Sequence, residues 1–342
     1  MRFDDVWIAG TGSTHGDLVP IDRAVADGSY SSMAMESTGM RTFSEAGQVP
    51  AEMALTAAQE ALKAAEERGV QTGQDTLHLH SHASFQGIDM WSAACWLAGE
   101  LLGPELTTMP TTVAAWSNGS LACLDIAASK LSFQPDIPNA LITLADKFGP
   151  PADRFHTSPG MVFGDGAAAA VVCRGGGRLR LVSCVAETDT VLGGLSRGDE
   201  PFRDAPDPTA QPDMRRRTRE FLAGGRVSLR DVQHRTTERI RSVVSRALAE
   251  AEVAQDEVDW LVTPFVGRTL YRDSFVLPLG FTPRHNLLDL GLTRGHLGAS
   301  DQIYALDHLL KRDLLEPGAR VLVIGTGMGF TFSAAVISAD SA

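Results

Sequence analysis

A length of 342 residues suffices for a sizeable core and fits one large or two moderate domains. The formal net charge of −12, with Arg215-Arg216-Arg217 as the one dense basic run, argues against a nucleic-acid partner. No apolar stretch is long enough to cross a bilayer, and the strand-like Val6-Trp7-Ile8-Ala9-Gly10 begins too early for a signal peptide to precede it, so a soluble cytoplasmic protein is expected.

In chain order, the first predicted helix runs from Ala51 to Arg68, apolar at Met53, Leu55, Ala58, Leu62 and Ala65, and leads to a strand at Thr76-Leu77-His78-Leu79-His80. A helix opening at Ala114-Ala115-Trp116-Ser117-Asn118-Gly119-Ser120 follows. After it come an apolar strand, Ala140 to Leu144, and a Gly- and Ala-rich strand, Phe163 to Val172. The polar stretch Arg197 to Arg219 reads as a solvated loop or cap, or less readily as a contact for a phosphate or an acidic carrier.

The series then repeats. A helix from Thr236 to Val253 leads to Val258-Asp259-Trp260-Leu261-Val262, and a second helix opening reads Arg294-Gly295-His296-Leu297-Gly298-Ala299-Ser300-Asp301. An apolar strand at Val321 to Ile324 and a Gly-rich close, Gly325 to Ser333, complete the second copy. Short apolar runs alternating with helices argue for α/β layers whose strands are buried on both faces. The order and spacing agree over several elements, which favours duplication over chance, with one half at 1–175 and the other at 176–342.

Cys95, Cys123, Cys173 and Cys184 lack metal-ligand spacing and lie among small or apolar residues, so they are read as core residues. His78, His80 and His82 alternate along a strand and share a face, but no carboxylate or cysteine joins them, so a buried or tunnel-lining face is preferred to a metal site. His156 and His285 flank loops without distinguishing features. Phe85, Met90, Trp91, Trp96 and Trp116 are assigned to core and pocket wall.

The two helix openings carry the chemistry. One offers a hydroxyl, Ser117; the other offers an imidazole, His296, with a carboxylate, Asp301, five residues later. If the halves pack about a pseudo-twofold axis these groups can meet as a nucleophile, a base and an orienting acid. A serine needs such a base, because a helix N-terminus stabilises charge but removes no proton. Asp301 could instead simply complement its own helix dipole.

Four further motifs carry a resemblance: Thr38-Gly39-Met40-Arg41, Ser92-Ala93-Ala94-Cys95, Phe163-Gly164-Asp165-Gly166-Ala167 and Gly325-Thr326-Gly327-Met328-Gly329-Phe330-Thr331. With them the chain resembles the ketoacyl synthase III branch of the thiolase superfamily over essentially its whole length. The resemblance implies a five-layered αβαβα fold, a homodimer, and an oxyanion site built from the backbone N–H groups of Ser117 and Met328. The family's nucleophilic Cys falls on Ser117, its Asn falls on His296, and its His falls in Thr263-Pro264-Phe265-Val266-Gly267, which holds no imidazole. The Gly-His-x-Gly-x-x-Asp pattern of Gly295 to Asp301 is similar to a subgroup from antibiotic biosynthesis that moves acyl groups between carriers and sugars or primes polyketides.

The resemblance therefore implies acyl transfer. Ser117 would take a short acyl group, propionyl or acetyl, from acyl-CoA or an acyl carrier protein for polyketide starter-unit selection. Acylation of a sugar hydroxyl or a second carrier is the alternative, and a non-catalytic partner of polyketide synthase subunits is a third reading. No tightly bound cofactor and no metal are expected.

Overall fold

The computed structural model describes residues 1–205, 207 and 209–339, so Pro206 and Pro208 of the polar stretch lie outside the described residues. The first-half strands are β1 (Trp7–His15), a small hairpin β2 (Asp17–Pro20) and β3 (Thr42–Glu45), then β4 (Leu77–Ser81), β5 (Thr111–Val113), β6 (Asn139–Asp146) and β7 (Gly166–Cys173). The second half supplies β8 (Leu179–Thr188), β9 (Trp260–Val262), β10 (His285–Asn286), β11 (Arg320–Gly327) and β12 (Thr331–Ser338).

All but the β2–β3 hairpin join one sheet in the order β10-β9-β11-β12-β8-β1-β7-β6-β4-β5. Its two ends are built alike. From β1 outward the neighbours β7 and β6 are antiparallel, and β4 and β5 are then parallel. From β8 outward β12 and β11 are antiparallel, and β9 and β10 are then parallel. In the ladder the two five-stranded parts are joined by Trp7 with Arg180 and Ile8 with Leu179.

Side-chain alternation sets the layers. On β7, Ala168, Ala170 and Val172 join a central core with Leu121 and Leu124 of the Gly119–Phe133 helix and Ile303 and Leu306 of the Asp301–Lys311 helix. Ala167, Ala169 and Val171 point the other way, onto Ala54, Ala57, Ala58 and Ala61 of the Pro50–Glu66 helix. On β11, Val321 and Val323 face the same central core, whereas Leu322 and Ile324 pack with Ile240, Val243 and Ala247 of the Leu229–Ala251 helix. Two helices thus lie between the two sheet parts, and the Pro50–Glu66 and Leu229–Ala251 helices lead the cover of the outer faces, which gives the expected αβαβα layering.

Three sequence expectations need correction. The Leu229–Ala251 helix begins before Thr236 because Ser228 and Asp231 cap each other reciprocally, Asp231 N–H to Ser228 Oγ at 3.2 Å and Ser228 N–H to Asp231 Oδ2 at 2.9 Å. Its first turns are polar, so a hydrophobic period could not find them. Cys95 and Met90 are exposed, not core. The polar stretch carries a helix, Met214–Ala223, on which Arg216 and Arg217 both pair with Glu200, so two of the three consecutive arginines are already engaged. Among the described residues no helix is long and apolar enough to cross a membrane.

Candidate active site

Ser117 sits in a single 3-10 turn, Trp116–Asn118, that opens the Gly119–Phe133 helix of the central layer. Trp116 takes a left-handed φ of 52°, a conformation that costs a bulky residue of order 1–3 kcal/mol and is found where surrounding structure enforces it. Asn118 supplies part of that enforcement, donating from Nδ2 to Thr331 Oγ1 at 3.1 Å and Ser333 Oγ at 2.9 Å on β12.

His296 enters from the other half. Its N–H donates to Val162 O at 2.8 Å and its carbonyl accepts from Gly164 N–H at 2.9 Å, which pins the backbone beside β7. The Phe163 ring lies 5.8 Å from the imidazole, centroid to centroid. The glycines of the motif are steric necessities. Gly295 has φ of 76°, and a Cβ there would stand 2.8 Å from Val162 O; Gly298 has φ of 64°, and a Cβ there would stand 2.1 Å from a carboxylate oxygen of Asp146.

These constraints bring the three side chains into one hydrogen-bonded chain. Ser117 Oγ lies 2.7 Å from His296 Nε2, and His296 Nδ1 lies 2.5 Å from Asp301 Oδ2. Asp301 is fully buried and also accepts from Phe265 N–H at 2.7 Å and Leu297 N–H at 2.8 Å. Complementing a helix dipole would not require the contact from Phe265, a residue of another segment. The stretch Thr263 to Gly267, which holds no imidazole, thus orients the carboxylate instead. Ser120 Oγ, donating to Ala299 O at 2.7 Å, stitches the two openings together a second time.

Burial pulls the His296 imidazole down in pKa, but Asp301, by charge and hydrogen bond, and the more distant Asp146 outweigh it, so the pKa lies above the ordinary histidine value. His78 and His80 differ in kind. Burial drives them down to about 4 and about 3, and both bond the Thr143 hydroxyl, at 2.9 Å each. They belong to a neutral polar seam under the loop after β4, not to the reactive centre. His156 and His285 are exposed and line neither chamber at the serine.

Two apolar chambers meet at Ser117 and His296. One, of about 700 Å3, is walled by Phe85, Trp116, Phe148, Phe163, Met214 and Met328. The other, of about 460 Å3, runs past Leu195, Val232, Ile240, Pro264, Phe275 and Phe330. Ser117 and Met328, the two positions expected to face an oxyanion, both line each chamber. The segment 148–163 is held by Asp165, whose carboxylate binds Arg154 Nη1 and Nη2 at 3.0 and 3.1 Å and Phe148 N–H at 2.9 Å. Sequence reasoning missed Asp146, Phe265 N–H and the helical form of Met214–Ala223; none belongs to a local motif.

Comparison with known proteins agrees with this architecture. A family model described as the C-terminal part of 3-oxoacyl-[acyl-carrier-protein] synthase III matches residues 248–339. Beta-ketoacyl-[acyl-carrier-protein] synthase III 3 of Streptomyces coelicolor is 29% identical over 255 residues, spanning 69% of this chain and 72% of that protein. The structure of ChlB3, described as an acyltransferase, superposes with a TM-score of 0.88 at 30% identity, covering 99% of this chain and 98% of that one. The synthase III of Aquifex aeolicus shares the fold, with a TM-score of 0.76 at 19% identity over 97% of this chain and 99% of its own. With 30% identity to ChlB3 across nearly the whole of both chains, this protein belongs to the ketoacyl synthase III-like family of the thiolase superfamily, a family of acyl-transferring and condensing enzymes.

Proposed function

We propose that the protein is an acyltransferase in which Ser117, His296 and Asp301 act as a catalytic triad, and that it loads a short acyl group for polyketide starter-unit selection. The observation that carries this reading is the unbroken Ser117–His296–Asp301 hydrogen-bonded chain at the meeting point of two apolar chambers. Ser117 Oγ attacks the thioester carbonyl carbon as His296 Nε2 takes its proton, and Asp301 steadies the imidazolium. The tetrahedral oxyanion is received by the backbone N–H groups of Ser117 and Met328. The C–S bond then breaks, His296 returns the proton to the departing thiolate, and an acyl ester remains on Ser117. An acceptor thiol or hydroxyl reverses the sequence, with His296 again taking the proton.

Acyl-CoA or an acyl carrier protein is the donor in this reading, and no bound cofactor is needed. A homodimer is part of it, supported by the exposed Phe85, Ile88, Met90 and Met109 in the segments that follow β4 and precede β5. Transfer to a sugar hydroxyl is the second reading. It is favoured by the likeness to ChlB3 and by a chamber of about 700 Å3, which leaves room for an acceptor alcohol beside a three-carbon ester.

Intact mass measured after mixing with acetyl-, propionyl- and larger acyl-CoA and acyl-carrier donors tests the proposal. A single acyl increment on Ser117 is expected. Its absence with every donor would leave a binding partner of synthase subunits as the function. Given malonyl carrier as well, the protein alone should form little β-ketoacyl product, because Thr263 to Gly267 offers no imidazole to assist decarboxylation. Rapid product formation would assign both roles to His296.

The acylation rate should also depend on pH in a defined direction. The base works only when neutral, and its pKa is raised. The rate should therefore fall as pH drops through a value above the ordinary histidine pKa of about 6.5. A profile flat from pH 5 to 8 would remove His296 from the mechanism.

A further inference from the structure

Asp146 ends β6 with its side chain fully buried, and it belongs to no motif of the reactive centre. Its partners are all donors: Oδ1 accepts from Ala83 N–H and Ser84 N–H, both at 2.7 Å, and Oδ2 accepts from Ala299 N–H at 2.8 Å. Ala83 and Ser84 form part of the wall of the larger chamber, and Ala299 lies in the turn between His296 and Asp301. One carboxylate therefore joins three things: the first-half sheet, the chamber wall, and the turn that carries the base. Gly298 shows how tight the joint is, because its missing Cβ is the space that the Asp146 oxygen occupies.

Burial raises the Asp146 pKa above the ordinary carboxylate value, and the three N–H groups with the Ser84 hydroxyl offset that only in part. Its three backbone partners are N–H donors, which favour the ionised form. Asp301 bonds the His296 ring from its own turn and the neutral Ser117 hydroxyl bonds its other nitrogen, while the charge of Asp146 on β6 also favours the protonated ring.

We propose that Asp146 is a positioning residue for acyl transfer: its carboxylate clamps the Gly298–Ala299 turn onto the nucleophile-bearing half, and its charge forms a second buried anion behind the imidazole, supporting the imidazolium that exists while Ser117 attacks. The proposal rests on the triad reading above. Two effects follow. The clamp sets the Ser117–His296 distance through backbone groups, and the charge adds to that of Asp301 in favouring the protonated ring.

The test is the pH–rate profile of Ser117 acylation by propionyl-CoA, followed by intact mass, in the wild type, Asp146→Asn and Asp146→Glu, with melting temperatures alongside. Asp146→Asn should slow the plateau rate about tenfold or more, as expected for loss of hydrogen bonds to a charged group. It should also shift the acidic limb to lower pH, because one anion favouring imidazolium has gone. Asp146→Glu keeps the charge, so its limb should stay in place while the longer arm costs rate. A wild-type rate in Asp146→Asn, or a slower rate with an unmoved limb, would overturn the proposal and leave Asp146 as a fold residue only. If Asp146→Asn does not fold, Asp146→Glu decides alone. A loss of about tenfold at an unchanged melting temperature supports the clamp, and a loss below about threefold overturns it. Failure of the wild type itself to acylate would instead refute the triad reading on which the proposal stands.

Discussion

Ser117→Ala should abolish the acyl increment with every donor while leaving the fold in place. The substitution removes one oxygen from a partly exposed position, and a lost hydrogen bond of this kind costs about 0.5–1.5 kcal/mol, too little to unfold a domain with so extensive a core. Ser117 is the chamber hydroxyl that His296 holds, so the loss should be complete and not graded. The exposed thiol of Cys95 supplies the natural control. Undiminished labelling in Ser117→Ala would mean that acyl groups collect on another nucleophile, and Cys95→Ser would then remove them.

His296→Ala should slow Ser117 acylation by about 10²–10⁴-fold, the usual contribution of a positioned general base. Asp301→Asn should cost less, because the carboxylate acts through the ring: it selects the tautomer that leaves Nε2 free to accept, and it steadies the imidazolium. The amide would also place an NH2 group among donors, since Asp301 accepts from Phe265 N–H and Leu297 N–H as well as from the ring. The double variant should be little slower than His296→Ala, because residues that work as one unit give non-additive losses. Multiplicative losses, measured by rapid quench and mass, would reduce Asp301 to a fold residue. A harmless His296→Ala would leave Ser117 with no proton acceptor.

How much of this was legible in the sequence follows from how local each signal is. The paired apolar strands and the amphipathic helices could be read because each is a run of neighbours, and the repeat doubled the signal. Ser117, His296 and Asp301 could be singled out because they sit in short patterns, with the carboxylate only five positions after the imidazole. Asp146 could not, since its N–H partners lie 63, 62 and 153 residues away. A lone acid at the end of an apolar strand carries no pattern. Phe265 was invisible for a different reason, because its contribution is a backbone N–H that any non-proline residue could donate. The helix in the polar cap was missed because charged residues make up much of its sequence, with arginines paired to Glu200 and Glu220, and periodicity in apolar residues does not register charge pairing.

The serine and its base are 179 residues apart in the chain. At ribosomal speeds of about 5–20 residues per second, that separation corresponds to on the order of ten to thirty seconds of synthesis. Throughout that interval the nascent chain displays a hydroxyl with no proton acceptor beside it. In the proposed mechanism the ester-forming centre comes into being only when the second half closes over the first, so in a truncated or half-folded product Ser117 has no base beside it. On that reading reactivity is a property of the finished molecule, and acyl labelling of Ser117 should double as a count of chains that have folded to completion.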